Sequence, residues 1–205
     1  PAQSCAGRIG VVSSEGGSPQ HIPVLYNEIL VGLNPRPSGR YVDGTVGAGG
    51  HAAGILMASA PDGLLLGLDR DSAALEQARE TLRRFGERAT LVHASYAQMA
   101  GEAGRLGWER VDGIVLDLGL SSMQLNDPAR GFSFQQDGPL DMRFDPSGKV
   151  TAADLVNELP ESELADLLFR YGEERNSRRV ARAIVSERPL RSTTELAQVV
   201  AKASG

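Results

Sequence analysis

The sequence predicts an α/β protein in which an open, mostly parallel sheet is followed by a helical second domain. Short apolar runs alternate with helix-length segments between residues 40 and 117, as in repeated βα units. A glycine-rich turn at residues 44–50 follows the first of these runs. From residue 151 onward the apolar residues recur only at helical spacing. The two domains are therefore predicted to be residues 21–125 and residues 126–205.

Composition and charge limit the classes of protein to consider. The 205 residues are 41% apolar and 23% charged, which fits one soluble domain with a small addition and excludes a disordered or collagen-like chain. The single cysteine, Cys5, excludes an internal disulfide framework and a cysteine-built zinc site, and it fits a reducing, cytoplasmic compartment. A net charge of -5 argues against indiscriminate binding to a polyanion, so a nucleic acid would need a local basic patch.

The N-terminal segment contains one predicted helix after a stretch without periodicity. Residues 1–20 lack the charged start and long apolar run of a signal peptide and are interpreted as a flexible leader. A helix is predicted to begin at His21. Its apolar side comprises Val24, Leu25, Ile29 and Leu33. No apolar run approaches the roughly 18 residues that a membrane span needs, so no membrane partner is expected.

Four short apolar runs are predicted to be buried parallel strands. They are Arg40 to Asp43, Leu64 to Asp69, Thr90 to Val92 and Val111 to Asp117. Asp71 is predicted to cap the helix between the second and third runs, and Gly86 to stop it. The apolar stripe of that helix comprises Ala74, Leu75, Ala78, Leu82 and Phe85.

The second domain is predicted to start with a long polar and aromatic loop, residues 125–149, of the kind that is usually functional or disordered. Helices follow. One predicted stripe comprises Leu164, Leu167, Leu168 and Tyr171, and another comprises Val180, Ala181, Ile184 and Val185. Ser192 and Glu195 have the spacing of a capping box before the last helix.

The glycine-rich turn predicts a Rossmann-like cofactor site. Gly47, Gly49 and Ala52 satisfy the loose dinucleotide fingerprint, and glycine lets a ligand approach the backbone and the next helix N-terminus. Asp69 lies twenty positions beyond Gly49, where a carboxylate would reach ribose hydroxyls. A tight turn without a ligand is the alternative, but the acid at the second strand end favours an adenosine-containing cofactor.

Charge helps to distinguish the two cofactor classes that use this geometry. Asp43 precedes the glycines and Asp117 closes the fourth run, so the pocket is expected to be rimmed by acids. A pyrophosphate gains nothing from nearby carboxylates, whereas the sulfonium and amino groups of S-adenosylmethionine are cationic. S-adenosylmethionine is therefore favoured over a nicotinamide dinucleotide. The alternative for each acid alone is a helix or turn cap.

Five motifs give the chain a resemblance to a known family. They are DGTVGAGGH at residues 43–51, DGIVLDLGLSS at 112–122, RGFSF at 130–134, GPLDMR at 138–143 and YGEER at 171–175. From His21 to its end the chain resembles the RsmH (MraW) family. The resemblance implies an S-adenosylmethionine-dependent methyltransferase acting on N4 of a cytidine in 16S ribosomal RNA. Family members continue further, so strands that complete their sheet are expected to be absent from this chain.

The same resemblance implies the cofactor contacts, residue by residue. They fall on Gly49, Gly50, His51, Asp69, Tyr96, Asp117 and Gln124. The family usually has phenylalanine where this chain has Tyr96, and its ring is expected to stack near adenine. The alternative for His51 is a purely structural role, in which it caps the helix or packs against its neighbours. This chain departs from the family pattern at three further positions: it has Met123 where proline is usual, Asn126 where aspartate is common, and Phe144 where methionine is usual. Because Asn126 has no carboxylate, any role of the family's aspartate has no counterpart at this position.

Asp117 is the candidate catalytic residue, with a purely cofactor-binding role as the alternative. The cytosine amine is a poor nucleophile, and an acceptor for its N–H would stabilise the charge that develops during in-line methyl transfer. Candidate substrate-binding residues are Ser121, Ser122, Arg130, Phe132, Asp141, Arg143, Arg178 and Arg179. The three histidines and one cysteine show no paired metal-ligand spacing, so no metal site is predicted.

Local charge predicts the RNA surface. Residues 170–191 hold seven arginines against three glutamates, and Arg175, Arg178, Arg179 and Arg182 recur at helical spacing. A solvated, salt-bridged face is the alternative. Aromatic and guanidinium groups in the long loop suit stacking on an extruded base. The expected partner is small-subunit ribosomal RNA or the assembled small subunit, and the oligomeric state stays open, with a dimer possible.

Two other functions remain open at this point. A nicotinamide oxidoreductase would need a site that tolerates a pyrophosphate beside Asp43. A nucleotide- or RNA-binding protein without turnover would follow if the chain lacks segments that catalysis needs.

Overall fold

The computed structural model describes residues 23–204. The leader predicted at residues 1–20, His21 at the predicted start of the first helix, and Cys5 lie outside them. Within the described part, an α/β unit precedes a helical unit, as predicted. No helix of residues 23–204 is both long and apolar enough to cross a membrane.

The sheet has four strands in the order β3-β2-β1-β4, and every pair is parallel. The strands are β1 (Arg40–Asp43), β2 (Leu64–Asp69), β3 (Ala89–His93) and β4 (Gly113–Val115). The bounds of β1 and β2 are the predicted ones. The fourth strand is shorter than predicted, because only its central residues pair with β1 and the backbone leaves the sheet before Asp117.

Five α-helices accompany the sheet in the described chain. They are α1 (Tyr26–Leu33), α2 (Gly50–Ala58), α3 (Ser72–Leu82), α4 (Met99–Arg105) and α5 (Ser122–Asn126). Short 3-10 segments occupy Arg83–Arg88, Tyr96–Gln98 and Pro128–Arg130. Asp71 caps α3 as predicted, by accepting the Ala73 N–H. The helix ends at Leu82, earlier than predicted, and Gly86 lies in the following 3-10 segment at a φ of 56°.

The first helix differs from its prediction. It begins at Tyr26 because Leu25 adopts a left-handed conformation with a φ of 53°, which a regular helix does not contain. Val24 and Leu25 are consequently 70% and 62% exposed, so their predicted place in an apolar stripe is wrong. Ile29 and Leu33 do pack against the core.

The two central strands, β1 and β2, are buried on both faces. Alternate side chains of a strand point to opposite sides, and on β1 Tyr41 joins the cluster formed with α2 and α3 while Val42 joins the one around Trp108. Strands covered on both faces appear in sequence as continuous apolar runs, which explains why β1 and β2 are predictable from sequence.

The helical unit has its own core. Its helices are α6 (Ala152–Glu158), α7 (Glu161–Gly172), α8 (Ser177–Ser186) and α9 (Thr193–Ser204). The buried cluster includes Leu164, Val180, Ala181 and Ile184, as the stripes predicted. Tyr171 is 85% exposed, so its predicted burial is wrong; it lies in the last turn of α7, where no other described element covers it.

The predicted long loop, residues 125–149, is irregular only in part: it begins with the end of α5 and the 3-10 segment Pro128–Arg130, and irregular backbone then continues to residue 151. The loop contacts both units. Gly131 has a φ of 70°, and a side chain there would collide with the Pro139 carbonyl oxygen. The Thr193 N–H at the start of α9 donates to the Gly138 carbonyl oxygen at 2.9 Å. Half of the predicted capping box is present, since Ser192 Oγ accepts the Glu195 N–H at 3.3 Å. The Glu195 carboxylate accepts the Arg191 N–H instead of that of Ser192.

Candidate active site

The strand order reverses at β1. From β1 the chain moves outward to β2 and β3, and it then returns to the other side of β1 as β4. In open α/β sheets, ligands bind at the carboxyl ends of the strands where the strand order reverses. The ends of β1 and β4 are that point in this protein; the predicted site residue Asp43 ends β1, and Asp117 lies two residues beyond β4.

The glycine-rich turn passes over the end of β1 into α2. Gly49 precedes the helix with a φ of 87°, a conformation that side-chain-bearing residues rarely adopt. A Cβ atom at this position would lie 3.3 Å from Leu82 Cγ and 3.4 Å from Ala78 Cα on α3. The first N–H groups of α2 have no partners within the helix. The Gly49 N–H already donates to the Val46 carbonyl oxygen at 2.8 Å, so Gly50 at the start of α2, rather than Gly49, offers a backbone donor to a ligand.

Asp69 ties this turn to the end of β2. Its Oδ2 accepts the Gly47 N–H at 2.8 Å, and its Oδ1 accepts the Asp71 N–H at 2.9 Å. Bonds between backbone N–H groups and a carboxylate are stronger than bonds between neutral groups. The predicted ribose-binding acid thus also fixes the glycine turn and the cap of α3.

Asp43 is a buried carboxyl behind the turn. Asp43 is only 1% exposed, and its Oδ1 accepts the Thr45 N–H at 3.2 Å. Burial raises the pKa of Asp43 from 3.8 to about 7; the Thr45 bond opposes this, and the negative charges of Asp69 and Asp117 add to it. The charges of Asp69 and Asp117 therefore both act on Asp43, so the three acids lie close together, as predicted.

Replacing Asp43 by asparagine should stabilise the folded chain more as the pH rises. In the folded state Asp43 holds its proton up to about pH 7, whereas in the unfolded chain it loses the proton near pH 3.8. Its contribution to the free energy of unfolding is therefore largest below pH 3.8 and falls as the pH rises from 3.8 to about 7. The amide oxygen of the introduced side chain would still accept the Thr45 N–H. The variant's gain in the free energy of unfolding should grow by about 1 kcal/mol per pH unit up to about pH 7. Urea unfolding across this range measures it, and a gain independent of pH would contradict it.

His51 lies in the first turn of α2 and faces Asp117. The histidine is 7% exposed, and neither ring nitrogen has a hydrogen-bond partner within residues 23–204. Its Nε2 lies 3.7 Å from Asp117 Oδ2, and the Tyr26 ring stacks on it with centroids 6.1 Å apart. Burial lowers the pKa of His51, although Asp117 opposes the shift. A buried imidazole without partners is the kind of group that a bound ligand satisfies.

The remaining predicted cofactor contacts flank this site. Tyr96 is 43% exposed, and a side chain at Gly44 would lie 2.9 Å from its Cβ, so the two residues adjoin. Gln124 is 5% exposed and its side chain bonds internally, donating to Asp71 Oδ2 at 3.0 Å and accepting the Ser121 N–H at 3.0 Å. Ser121 caps α5, and Ser122 is the exposed first residue of that helix.

The predicted substrate residues of the long loop bond mainly to one another and to the α/β unit. Arg130 pairs with Asp71 at 2.6 Å, and its guanidinium lies 5.8 Å from the Phe132 ring. Arg143 makes two bonds to Asp141, at 2.9 and 2.6 Å, and a third to the Gly148 carbonyl oxygen. The loop is therefore braced by ion pairs.

Arg178 and Arg179 belong to the helical unit and are not part of this site. Both are exposed on α8, opposite the buried face that contains Val180, and neither has an ion-pair partner among residues 23–204. Arg182 lies 3.4 Å from Glu161, whereas Arg175 precedes the helix. The predicted basic face is thus present with unpaired charge at its centre.

Sequence reasoning missed three contributors to the site. Thr45 Oγ1 accepts the Asp117 N–H at 2.7 Å, which fixes the backbone at the end of β4. Tyr26 covers His51. Asp71, predicted only as a helix cap, also accepts bonds from Gln124 and Arg130. Only Asp71 had a sequence signal, its position two residues after Asp69.

The part of the chain that the structure describes contains no cluster of three or more histidine, cysteine, aspartate or glutamate side chains suited to a metal ion.

Comparison with known proteins places the chain in a family. The model of the MraW methylase family matches residues 18–205. A "Ribosomal RNA small subunit methyltransferase H" from Syntrophobacter fumaroxidans is 55% identical over 189 residues, covering 91% of this chain. Proteins of the same name from Heliobacterium mobile and Nitratidesulfovibrio vulgaris are 50% and 48% identical, covering 88% and 94% of this chain. This chain spans 59%, 59% and 55% of the three relatives' lengths. The chain belongs to the MraW methylase family.

Proposed function

We propose that this chain is the cofactor-binding and RNA-contacting part of an S-adenosylmethionine-dependent methyltransferase that modifies N4 of a cytidine in 16S ribosomal RNA. The observation that supports it most is the grouping of Asp43, Asp69 and Asp117 around a glycine turn at the strand-order reversal. Family membership and the names of the relatives agree with this proposal. The proposal includes a reducing, cytoplasmic compartment for the protein.

The pocket residues fit the cofactor. His51 has buried ring nitrogens without partners among residues 23–204, and the strand-end carboxylates suit a cation. When bound, S-adenosylmethionine supplies an activated methyl group on a sulfonium. Asp69 would hold the ribose hydroxyls, and the exposed ring of Tyr96 would stack on the adenine. Gln124 would act mainly by holding Asp71, because its side chain is already bonded there.

Asp117 would act on the acceptor base. Its carboxylate is 57% exposed, while its backbone is fixed by Thr45. A carboxylate that accepts an N–H bond from the cytosine amine raises electron density on the nitrogen and stabilises the positive charge that develops there. The same group orients the amine for in-line attack, so alignment and electrostatics reinforce each other.

The RNA would be held by two surfaces. The long loop offers the Phe132 and Phe144 rings, which pack with their centroids 5.3 Å apart, and Phe134 is 71% exposed. Exposed aromatic rings suit an extruded base. The exposed, unpaired arginines of α8 would contact phosphates, and the helical unit would thereby orient the RNA toward the candidate active site.

Reversing the charge of Arg178 and Arg179 to glutamate should weaken RNA binding and lower its salt dependence. Each lost phosphate contact reduces the slope of log affinity against log salt by about one, so the double variant should lose about two. Filter binding at several salt concentrations measures this. A matched control reverses Arg79 on α3 and Arg83 directly after it, which have exposed partners in Glu76 and Glu80. Equal slopes for parent and Arg178→Glu/Arg179→Glu would contradict the role of α8.

Calorimetric titration with S-adenosylmethionine and with NAD tests the cofactor assignment. The acid-rimmed pocket predicts that the chain binds S-adenosylmethionine and rejects NAD, because the carboxylates repel a pyrophosphate. Preferential binding of NAD would support an oxidoreductase instead. Binding of S-adenosylmethionine without methyl transfer would support the binding protein without turnover.

A further inference from the structure

A shielded ion pair joins the α/β unit to the long loop. Arg130 Nη1 donates to Asp71 Oδ2 at 2.6 Å, and these side chains are 17% and 1% exposed. The pair formed by Arg79 and Glu76 on α3 is by contrast 56% and 75% exposed. Removing one partner of a buried pair leaves the other charge uncompensated, whereas an exposed pair contributes little. The Arg130 guanidinium is therefore held by a contact inside the protein.

Asp71 connects this pair to the cofactor pocket. Its backbone N–H donates to Asp69 Oδ1 at 2.9 Å, and its Oδ2 also accepts a bond from Gln124 Nε2 at 3.0 Å. Burial disfavours the ionised carboxyl, yet the bonds from Arg130 and Gln124 hold the pKa of Asp71 below 3.8. Asp71 thus contacts two of the proposed cofactor residues, Gln124 through its charged carboxylate and Asp69 through its backbone N–H.

The other side of the Arg130 guanidinium holds the loop. Its Nη2 donates to the carbonyl oxygens of Arg143 at 2.8 Å and Phe144 at 3.3 Å. The Met142 N–H donates in turn to the Arg130 carbonyl oxygen at 3.0 Å. Residues 142–144 are therefore fixed by Arg130 from both its backbone and its side chain.

A direct contact between Arg130 and a base would compete with these bonds. Both Nη atoms already have acceptors within the protein, and the Phe132 ring lies beside the guanidinium with its centroid 5.8 Å from Cζ. A base that displaced these acceptors would release the loop and leave Asp71 buried without its partner. A structural link between two sites fits these contacts better than a substrate contact.

We infer that Arg130 is a positioning residue that couples the cofactor pocket to the RNA-binding loop. The inference rests on the proposed function. A cofactor contact at Asp69 biases the position of Asp71, which Gln124 also holds, and Arg130 transmits that bias to residues 142–144. Coupling between two ligands is reciprocal, so RNA must tighten cofactor binding by the factor by which the cofactor tightens RNA binding.

A double-mutant cycle tests the coupling. S-adenosylmethionine affinity is measured by calorimetry, with and without a short single-stranded RNA containing cytidine, for the parent, Asp71→Asn, Arg130→Gln and the double variant. RNA should raise the parent's cofactor affinity about fivefold or more, and this ratio should fall to about one in Arg130→Gln. The two substitutions should be strongly non-additive. Arg79→Gln, which breaks the exposed pair on α3, should keep the parental ratio.

Two features of the design separate the possible failures. The double variant leaves no buried orphan charge, so it keeps the test informative if Arg130→Gln unfolds, as circular dichroism would reveal. Arg130→Lys retains the charge but not the planar fork, and should keep cofactor affinity while losing the coupling. Two results would overturn the inference but not the proposed function. One is that Arg130→Gln or the double variant keeps the parental coupling, and the other is that the parent binds the two ligands independently. A parent that binds no S-adenosylmethionine would overturn the proposed function as well.

Discussion

Alanine in place of Asp117 should lower kcat for methyl transfer by about 100- to 1000-fold, the usual effect of removing one group that stabilises charge in a transition state. The carboxylate is 57% exposed, and its backbone is held by Thr45, so it can meet the incoming amine without rearrangement. Initial rates with labelled S-adenosylmethionine measure kcat, and calorimetry measures cofactor affinity separately. A loss confined to affinity would assign Asp117 to cofactor binding only.

Two further variants sharpen this test. Asp117→Asn keeps an acceptor oxygen but loses the charge, and it should retain more activity than the alanine variant. Asp166→Ala removes an exposed carboxylate of α7, whose partner Arg170 lies at 3.9 Å, and should behave like the parent. Near-normal methylation by Asp117→Ala would remove this residue from the site.

Alanine in place of Asp69 should weaken S-adenosylmethionine binding by about 100-fold. The carboxylate accepts the N–H groups of Gly47 and Asp71, and bonds to a charged group each contribute about 1.5–3 kcal/mol, where 1.4 kcal/mol is a tenfold change. The substitution releases the glycine turn and removes the proposed ribose acceptor together. Calorimetry gives Kd directly.

The asparagine variant of Asp69 separates these contributions. The introduced amide has one acceptor oxygen, so it can keep either the Gly47 bond or the Asp71 bond but not both. Its affinity should lie between those of the parent and Asp69→Ala. Unchanged affinity in the alanine variant, with the fold intact by circular dichroism, would show that the acid at the end of β2 does not hold the cofactor.

The sequence pattern was sufficient to predict those elements whose burial in the fold also appears as a regular pattern of apolar residues. The runs that form β1 and β2 were predictable to the residue because both faces of these strands are buried. The strand ends then brought Asp43, Asp69 and Asp117 to one edge, since parallel strands share the direction of their carboxyl ends. Much of the candidate pocket follows from this alone.

Contacts between distant segments explain what the sequence could not show. Side chains at Gly50 and Gly54 would collide with Pro23 and Tyr26, so this close packing against α2 accompanies a later start of α1 than periodicity predicted. Asp71 is recognisable as a cap because its partner is local, but Gln124 and Arg130 are 53 and 59 residues away.

The fate of a labelled methyl group tests the central proposal most directly. The chain is incubated with methyl-labelled S-adenosylmethionine and small ribosomal subunits that lack the modification, and the RNA is digested to nucleosides. A second reaction uses a chain extended to the relatives' length, because this one spans 59% of the Syntrophobacter fumaroxidans protein. We predict label in N4-methylcytidine from 16S RNA. Label in another nucleoside, or none with either chain, would contradict the proposed function.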